Sequence, residues 1–446
     1  MFAPRQWVEK TAPSVRSRSF TYLVAGLGIV AVIAVAFVIN YAVAPSIGDH
    51  QDVLGRLLNL QTLRASGNVY VPFGSEAFTY PPGAILLFWP MLWIPSGQLA
   101  IAWALASLAA LVATLTILFD RFRDEDLLAS FALASWATAL SALVFPPILE
   151  GLTWGQTGTI LLVLVVLDFL VVRGPAQGVL VGLAAAFKIY PGLFIVAWML
   201  RRQWRSAFTA LATAGAVTAL AWLLWPASAR TFFTKEIFGG HELGHFASHA
   251  AVTASSSFSA MFMRPPWHVG LLNDEGTFAA CALVMVVGLW SAQRLWRDDR
   301  EVSAMVVLLV ASTIGAPLAW DHYFSFAPIL LFVPFELGVR NPLSRVALAA
   351  AVVMIVPWFR FRRPTTSSWW TSTYAFVGRN ALLFASLAVL VTPLFVGRSR
   401  KVAPCPPLPG DQSPDSSPPS CSSPVSRSSA APRRSPRRPD PRRPAR

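Results

Sequence analysis

Lys188 is the only charge in residues 178–199, which read GVLVGLAAAFKIYPGLFIVAWM. A lysine at bilayer depth costs about 2.5–3.5 kcal/mol on insertion scales, so it must face a polar cavity or a partner. Apolar residues flank it for about ten positions on each side, which makes snorkelling to an interface difficult. Ile189-Tyr190-Pro191-Gly192 follows at once and can break a helix, freeing backbone groups to line a cavity. A buried cation of this kind suits a phosphate better than a neutral ligand. Carboxylates stand at a second place, Asp49-His50-Gln51-Asp52, shortly after the first apolar run. Gly67-Asn68-Val69-Tyr70 and Phe78-Thr79-Tyr80-Pro81-Pro82-Gly83 come next. Asp49 or Asp52, at the mouth of a membrane cavity, could serve as a general base for an acceptor hydroxyl. The same residues would also suit a solvated turn.

Three further groups carry polar chemistry. Glu150-Gly151-Leu152-Thr153-Trp154-Gly155-Gln156 lies between apolar runs, where glycine permits close approach and Gln156 can bond a polar ligand. Trp320-Asp321-His322-Tyr323 follows another run and could recognise a sugar or a phosphate at a water interface. Interfacial Trp and Tyr are equally common as anchors without chemistry. His241-Glu242-Leu243-Gly244-His245 is a literal HExxH, which on a helix binds zinc with the Glu as base. Here it follows Gly239-Gly240 in a polar loop, and no later motif supplies the usual third ligand. His249 could be a third ligand by helical spacing. An intramembrane zinc metalloprotease is therefore a minor alternative.

The elements that must position these groups are membrane helices. The chain is 55% hydrophobic and 13% charged, with a mean hydropathy of +0.54, whereas soluble domains carry roughly 25% charged residues. Apolar runs at about 20–44, 82–95, 98–119, 127–147, 156–173, 177–200, 206–226, 277–293, 302–318, 323–338, 343–358 and 380–396 predict an all-α polytopic membrane protein with about 11–12 transmembrane helices. The net charge of +14 does not mark nucleic-acid binding, because eleven of the basic residues lie in the tail from Arg398 onward. That tail is Pro/Ser/Arg-rich and is expected to be disordered. Cys281, Cys405 and Cys421 form no disulfide framework.

Residues 1–19 are basic and expected to be cytoplasmic, and the run after them is too long for a signal-peptide core. Residues 20–396 form the membrane domain, with outer loops at about 45–81 and 227–276, and 397–446 the cytoplasmic tail. Simple alternation of the spans puts Arg121 and Arg123 outside, against the positive-inside tendency. The conflict disappears if 82–95 does not fully cross and 177–200 is a broken, re-entrant pair bent near Lys188.

Taken in order, these pieces resemble glycosyltransferase family 87, the polyprenyl-phosphate-dependent enzymes of the GT-C fold that include actinobacterial α-1,2-mannosyltransferases. The resemblance is carried by Asp52-Val53 with Tyr70 following, and by Phe78, Tyr80, Pro81 and Pro82 as an F-x-YPP element. Trp154-Gly155-Gln156 and the G-L-A-A-A-x-K-x-x-P run at 182–191 come next, with Arg201-Arg202-Gln203-Trp204-Arg205 behind them. The P-x-x-W-x-H-x element at 317–323 completes the set, and the match covers about 20–396.

The resemblance implies a GT-C fold and an inverting transfer of a sugar, mannose first, from a polyprenyl-phosphate donor to a glycolipid or glycan hydroxyl on the outer face. It places the general base on Asp52, by the Asp-to-Tyr spacing, with Asp49 as rival, and a functional histidine at His322. Donor phosphate contacts fall to Lys188, Gln156, Arg264 and Tyr80, and substrate positioning to Trp320, Asp321 and Tyr323. No metal and no cofactor are implied; the lipid-linked sugar is the substrate. Ala254-Ser255-Ser256-Ser257, then Arg264, departs from the family's N-Q-S element. Alternatives within and beyond the fold are an arabinofuranosyltransferase and a lipid-linked sugar transporter. A transporter would need broken helices in both halves.

Overall fold

A computed structural model describes residues 15–47, 49–71, 78–123, 126–236, 255–262, 274–317, 319–356, 377–378 and 380–396. All of these lie in one compact unit, 1–398. Most of residues 1–19 and the Pro/Ser/Arg-rich tail lie outside them. In hydrocarbon every backbone polar group must be satisfied within the chain, and a helix does that locally. The expected apolar segments are accordingly helical in their described parts, and no strand occurs among the described residues.

The main helices are α1 (Val15–Val38), α2 (Gln51–Ser66), α3 (Ser96–Arg123), α4 (Leu127–Val144), α5 (Pro146–Trp154), α6 (Gly158–Val166), α7 (Val179–Phe187), α8 (Leu193–Leu200), α9 (Trp204–Leu224), α10 (Asp274–Arg297), α11 (Glu301–Ile314), α12 (Pro342–Ile355) and α13 (Ala381–Phe395). Among the described residues, five helices are long and apolar enough to cross a bilayer, or six if α5 and the helix after it form one bent span. The other expected spans are shorter apolar helices of 10–17 residues, except 323–338, which is broken into the 3-10 stretches Asp321–Phe324 and Ala327–Phe332 and the short helix Val333–Leu337. The protein is a multi-pass, all-α membrane protein.

Side-chain contacts distinguish the two ends of the bundle. Trp103, near the start of α3, donates its indole N–H to the Gln156 carbonyl at 3.1 Å. Arg121, about 27 Å further along the helix at 1.5 Å per residue, pairs with Glu301 at 2.9 Å. Arg173 approaches the same carboxylate at 3.8 Å. Glu336 accepts from the backbone N–H groups of Val302 and Ser303 at 3.0 and 2.7 Å. One end of the bundle therefore gathers Arg121, Arg173 and Glu301, and the other gathers Trp103 and Gln156.

Residues 177–201 leave the arginine end and return to it. The Gly178 and Val181 N–H groups donate to the Asp168 carboxylate at 2.8 and 2.7 Å, and Ser206 donates to Gln177 at 3.0 Å. A Cβ on Gly178 would meet the Ser206 carbonyl, and one on Gly182 the Ala210 carbonyl. Parallel advance along both chains means that α7 runs alongside α9 in the same direction, so α8 must run back between them. Arg201 closes the loop with its guanidinium 4.6 Å from the Trp296 ring, at the end of α10. The apex is Lys188, extended at φ −151° and ψ 131°, and the 3-10 turn Tyr190–Gly192.

This path corrects the simple alternation. Arg121 lies with the arginines around 294–300, on one face. The segment Ala84–Trp93 spans only about 15 Å as a helix, half a hydrocarbon core. A second sharp bend, 116°, falls between Pro146–Trp154 and Gly158–Val171. The expectation had placed the break only near Lys188. Gly155 turns this corner at φ +76°, where a Cβ would sit 2.6 Å from the Val53 Cβ.

Candidate active site

Helix α2 builds the first wall. Val53, Leu57, Leu60 and Leu63 are buried at helical spacing, and Gly67 closes the helix at φ +75° with its N–H on the Leu63 carbonyl at 2.8 Å. Asp52 sits in the first turn, where the helix dipole favours a carboxylate. Arg56, one turn later, is only 4% exposed, with Nη2 3.9 Å from Asp52 Oδ2. Gln156, just past the sharp bend, donates from Nε2 to the same oxygen.

The segment after α2 supplies the second wall. The Tyr80 hydroxyl accepts from Arg56 Nη2 at 2.6 Å and faces Gln156 Oε1 at 3.5 Å. Tyr70 donates to the Tyr80 carbonyl at 2.6 Å. The hairpin apex forms the third wall. Lys188 Nζ lies 3.9 Å from the Tyr323 ring centroid, 5.4 Å from Tyr80 and 5.7 Å from Tyr190. Three aromatic faces thus hold a cation without neutralising it.

Burial pushes the Asp52 carboxyl above the ordinary carboxylate range, while Arg56 and then Lys188 oppose that rise. The result is a carboxylate whose proton affinity is enhanced but which two cations keep able to ionise. Such a group can take a proton from an alcohol as its oxygen attacks. Lys188 and the guanidinium place two basic groups beside one carboxylate, a balance that suits an incoming phosphate.

The fourth wall is the turn Asp321–Phe324. The His322 and Tyr323 rings lie 5.0 Å apart. His322 also lines a narrow pocket with Gly151, Gln156, Gly158, Thr159 and Ser325. Trp320 is half-buried and Asp321 buried. Ser256 donates to Asp321 at 3.3 Å. The Ser255 hydroxyl accepts the Ala319 N–H at 3.0 Å, and the Ser256 N–H donates to the Ala319 carbonyl at 2.6 Å. Ser257 and Ser259 both donate to the Pro317 carbonyl, at 2.9 and 3.2 Å. The serine run that departs from the family pattern is therefore a strap across 317–321.

The fold brings Asp52, Gln156, Tyr80, Lys188 and Tyr323 into one cluster, with His322 beside it. Asp49 is exposed at φ 43° and, among the described residues, enters none of these contacts. Arg264 and the 241–249 HExxH region lie outside the described residues. Sequence reasoning missed Arg56, Tyr190 and the Ser255–Ser259 strap. The spacing of Asp52 and Arg56 by one helical turn was the available signal.

A model of glycosyltransferase family 87 matches residues 78–320. A polyprenol-phosphate-mannose-dependent alpha-(1-2)-phosphatidylinositol mannoside mannosyltransferase of Mycobacterium tuberculosis is 25% identical over 348 residues, covering 73% of this chain and 79% of the relative. The Mycolicibacterium smegmatis protein of the same description is 25% identical over 354 residues, 72% and 77% of the two chains. A polyprenol-phosphate-mannose-dependent alpha-(1-2)-phosphatidylinositol pentamannoside mannosyltransferase of Mycolicibacterium smegmatis is 25% identical over 307 residues, 65% and 69%. With more than half its length matched, this glycosyltransferase belongs to glycosyltransferase family 87.

Proposed function

We propose that the protein transfers a mannosyl group from a polyprenyl-phosphate donor to a hydroxyl of a lipid-anchored glycan, as the names of its relatives describe for them. Asp52 takes the proton of the acceptor hydroxyl, whose oxygen bonds to the anomeric carbon. The bond from that carbon to the phosphate oxygen breaks, and the polyprenyl phosphate leaves with the electron pair. Attack from the side opposite the phosphate inverts the anomeric centre. Lys188 balances the charge on the departing phosphate. Gln156 and Tyr80 orient the base and donor, and His322, with Trp320, Asp321 and Tyr323, positions the sugar. Arg264 is a further phosphate ligand in this reading. The arginine end faces the cytoplasm by the positive-inside rule, with both termini, and the site opens on the outer face. Residues 20–396 are the catalytic domain, and 1–19 and 397–446 are cytoplasmic extensions.

The observation that carries this reading is the convergence of Asp52 and Lys188, from distant segments, on Gln156 and Tyr80 at one end of the bundle. Its test is label transfer from radiolabelled polyprenyl-phosphate mannose in membranes containing the protein. Transfer to a lipid-extractable glycan that persists in EDTA and in His241→Ala supports the reading. Absence of transfer, or loss on His241→Ala together with zinc dependence, contradicts it.

A further inference from the structure

Arg56 is held too firmly to meet a substrate. It is 4% exposed and lies between two aromatic faces, 5.1 Å from the Tyr80 centroid and 5.3 Å from that of Phe88. Nη1 donates to the Gly155 carbonyl at 2.5 Å and Nη2 to the Tyr80 hydroxyl at 2.6 Å. Nη2 also stands 3.9 Å from Asp52 Oδ2. The Gly155 carbonyl belongs to the corner that delivers Gln156, and Gln156 in turn donates to Asp52 Oδ2. Tyr80 flanks Gln156 on its other amide atom. One fork thus grips both supports of Gln156 and the field at the carboxylate. Among the described residues Asp52 Oδ1 carries no hydrogen bond, so the grip on Oδ2 leaves Oδ1 for an acceptor hydroxyl.

We propose that Arg56 is a positioning residue of the transferase, acting through Asp52: its charge keeps the carboxylate ionised, and its fork fixes the Gln156 amide that aims it. This rests on the reading of Asp52 as the base. A lysine would preserve the charge but not the planar fork, so the two roles are separable. The ionisable groups that face Asp52 are Arg56 on its own helix, Lys188 at the hairpin apex, Tyr80 before Ala84–Phe88 and Tyr323 on the Asp321–Phe324 turn. His50, two residues before Asp52, caps the same helix and donates its backbone N–H to the Thr153 carbonyl of α5 at 2.8 Å. Removing Arg56 takes away the larger of the two influences that lower the Asp52 proton affinity. The carboxylate then protonates at higher pH, and activity is lost sooner as pH falls.

The test is the pH dependence of kcat and KM for mannosyl transfer, measured on the full chain in membranes for Arg56→Met, Arg56→Lys and Asp52→Asn. In Arg56→Met the acid limb of kcat/KM moves up by about one pH unit or more. Arg56→Lys keeps the limb within about half a unit of wild type and lowers kcat about tenfold, with donor KM little changed. An unmoved limb in Arg56→Met assigns Arg56 a purely structural role and overturns the inference. If Arg56→Met does not insert, Arg56→Lys decides: unchanged kcat, or a limb displaced by a full unit, also overturns it. Wild-type activity in Asp52→Asn instead defeats the base assignment. An inactive Asp52→Asn with an unmoved limb in Arg56→Met defeats only the role of Arg56.

Discussion

Both ends of the bundle pair arginine with a carboxylate, in opposite surroundings. At one end Glu301 meets Arg121 and Arg173, whose side chains are 33% and 51% exposed. Water screens these charges, and such pairs contribute roughly 0.2–1 kcal/mol. At the other end Asp52 meets Arg56, which is nearly sealed from solvent. There each charge is hydrogen-bonded or stacked, and Lys188 adds a second basic group set against aromatic faces. Burial changes what the same ion types can do, because fixed charges act strongly where water is excluded.

Substitutions at the two ends should therefore diverge. The largest effect is expected for Lys188→Met, which lowers kcat/KM for the lipid-linked donor about 100-fold, while Lys188→Arg retains part of the rate. Comparable losses in the two variants would show that charge at the apex is not what matters. Gly155→Ala combines a left-handed backbone with a clash against Val53, at a cost of about 2–4 kcal/mol. It should reduce the yield of folded protein in detergent and remove Gln156 from the carboxylate; full yield and rate would mean that the corner relaxes freely. Ser256→Ala removes one bond to Asp321, worth about 1 kcal/mol, and should lower kcat/KM about fivefold without changing yield. Glu301→Gln, at the arginine end, should change transfer by less than about twofold. A large loss there would erase the contrast between the ends.

Much of this was legible in the chain. Lys188 stands alone among apolar residues, and Pro191-Gly192 after it announces a break, so the hairpin apex could be anticipated. The family resemblance, through the Asp52-to-Tyr70 spacing, favoured Asp52 over Asp49, and the structure puts Asp52 in the cluster while Asp49 is exposed. The spacing of Arg56 from Asp52 was visible, but its burial was not, for a physical reason. An Asp and an Arg four residues apart on a helix look like a surface pair, and only the folding of Tyr80 and Phe88 over the guanidinium buries it. The corner at Gly155 was hidden similarly: its glycine could serve close approach or a turn, and the choice depends on Val53 from a distant helix. The serine strap had no recognisable pattern, because its partners are backbone groups of 317–321.

The central claim, that Asp52 is the base of a site it shares with Lys188, is tested most directly by measuring initial rates of mannosyl transfer for Asp52→Asn and Asp49→Asn side by side, at equal amounts of inserted protein. The account predicts that Asp52→Asn loses about 10²–10⁴-fold in kcat while Asp49→Asn stays near wild type. Loss of activity in Asp49→Asn with a surviving Asp52→Asn would contradict it.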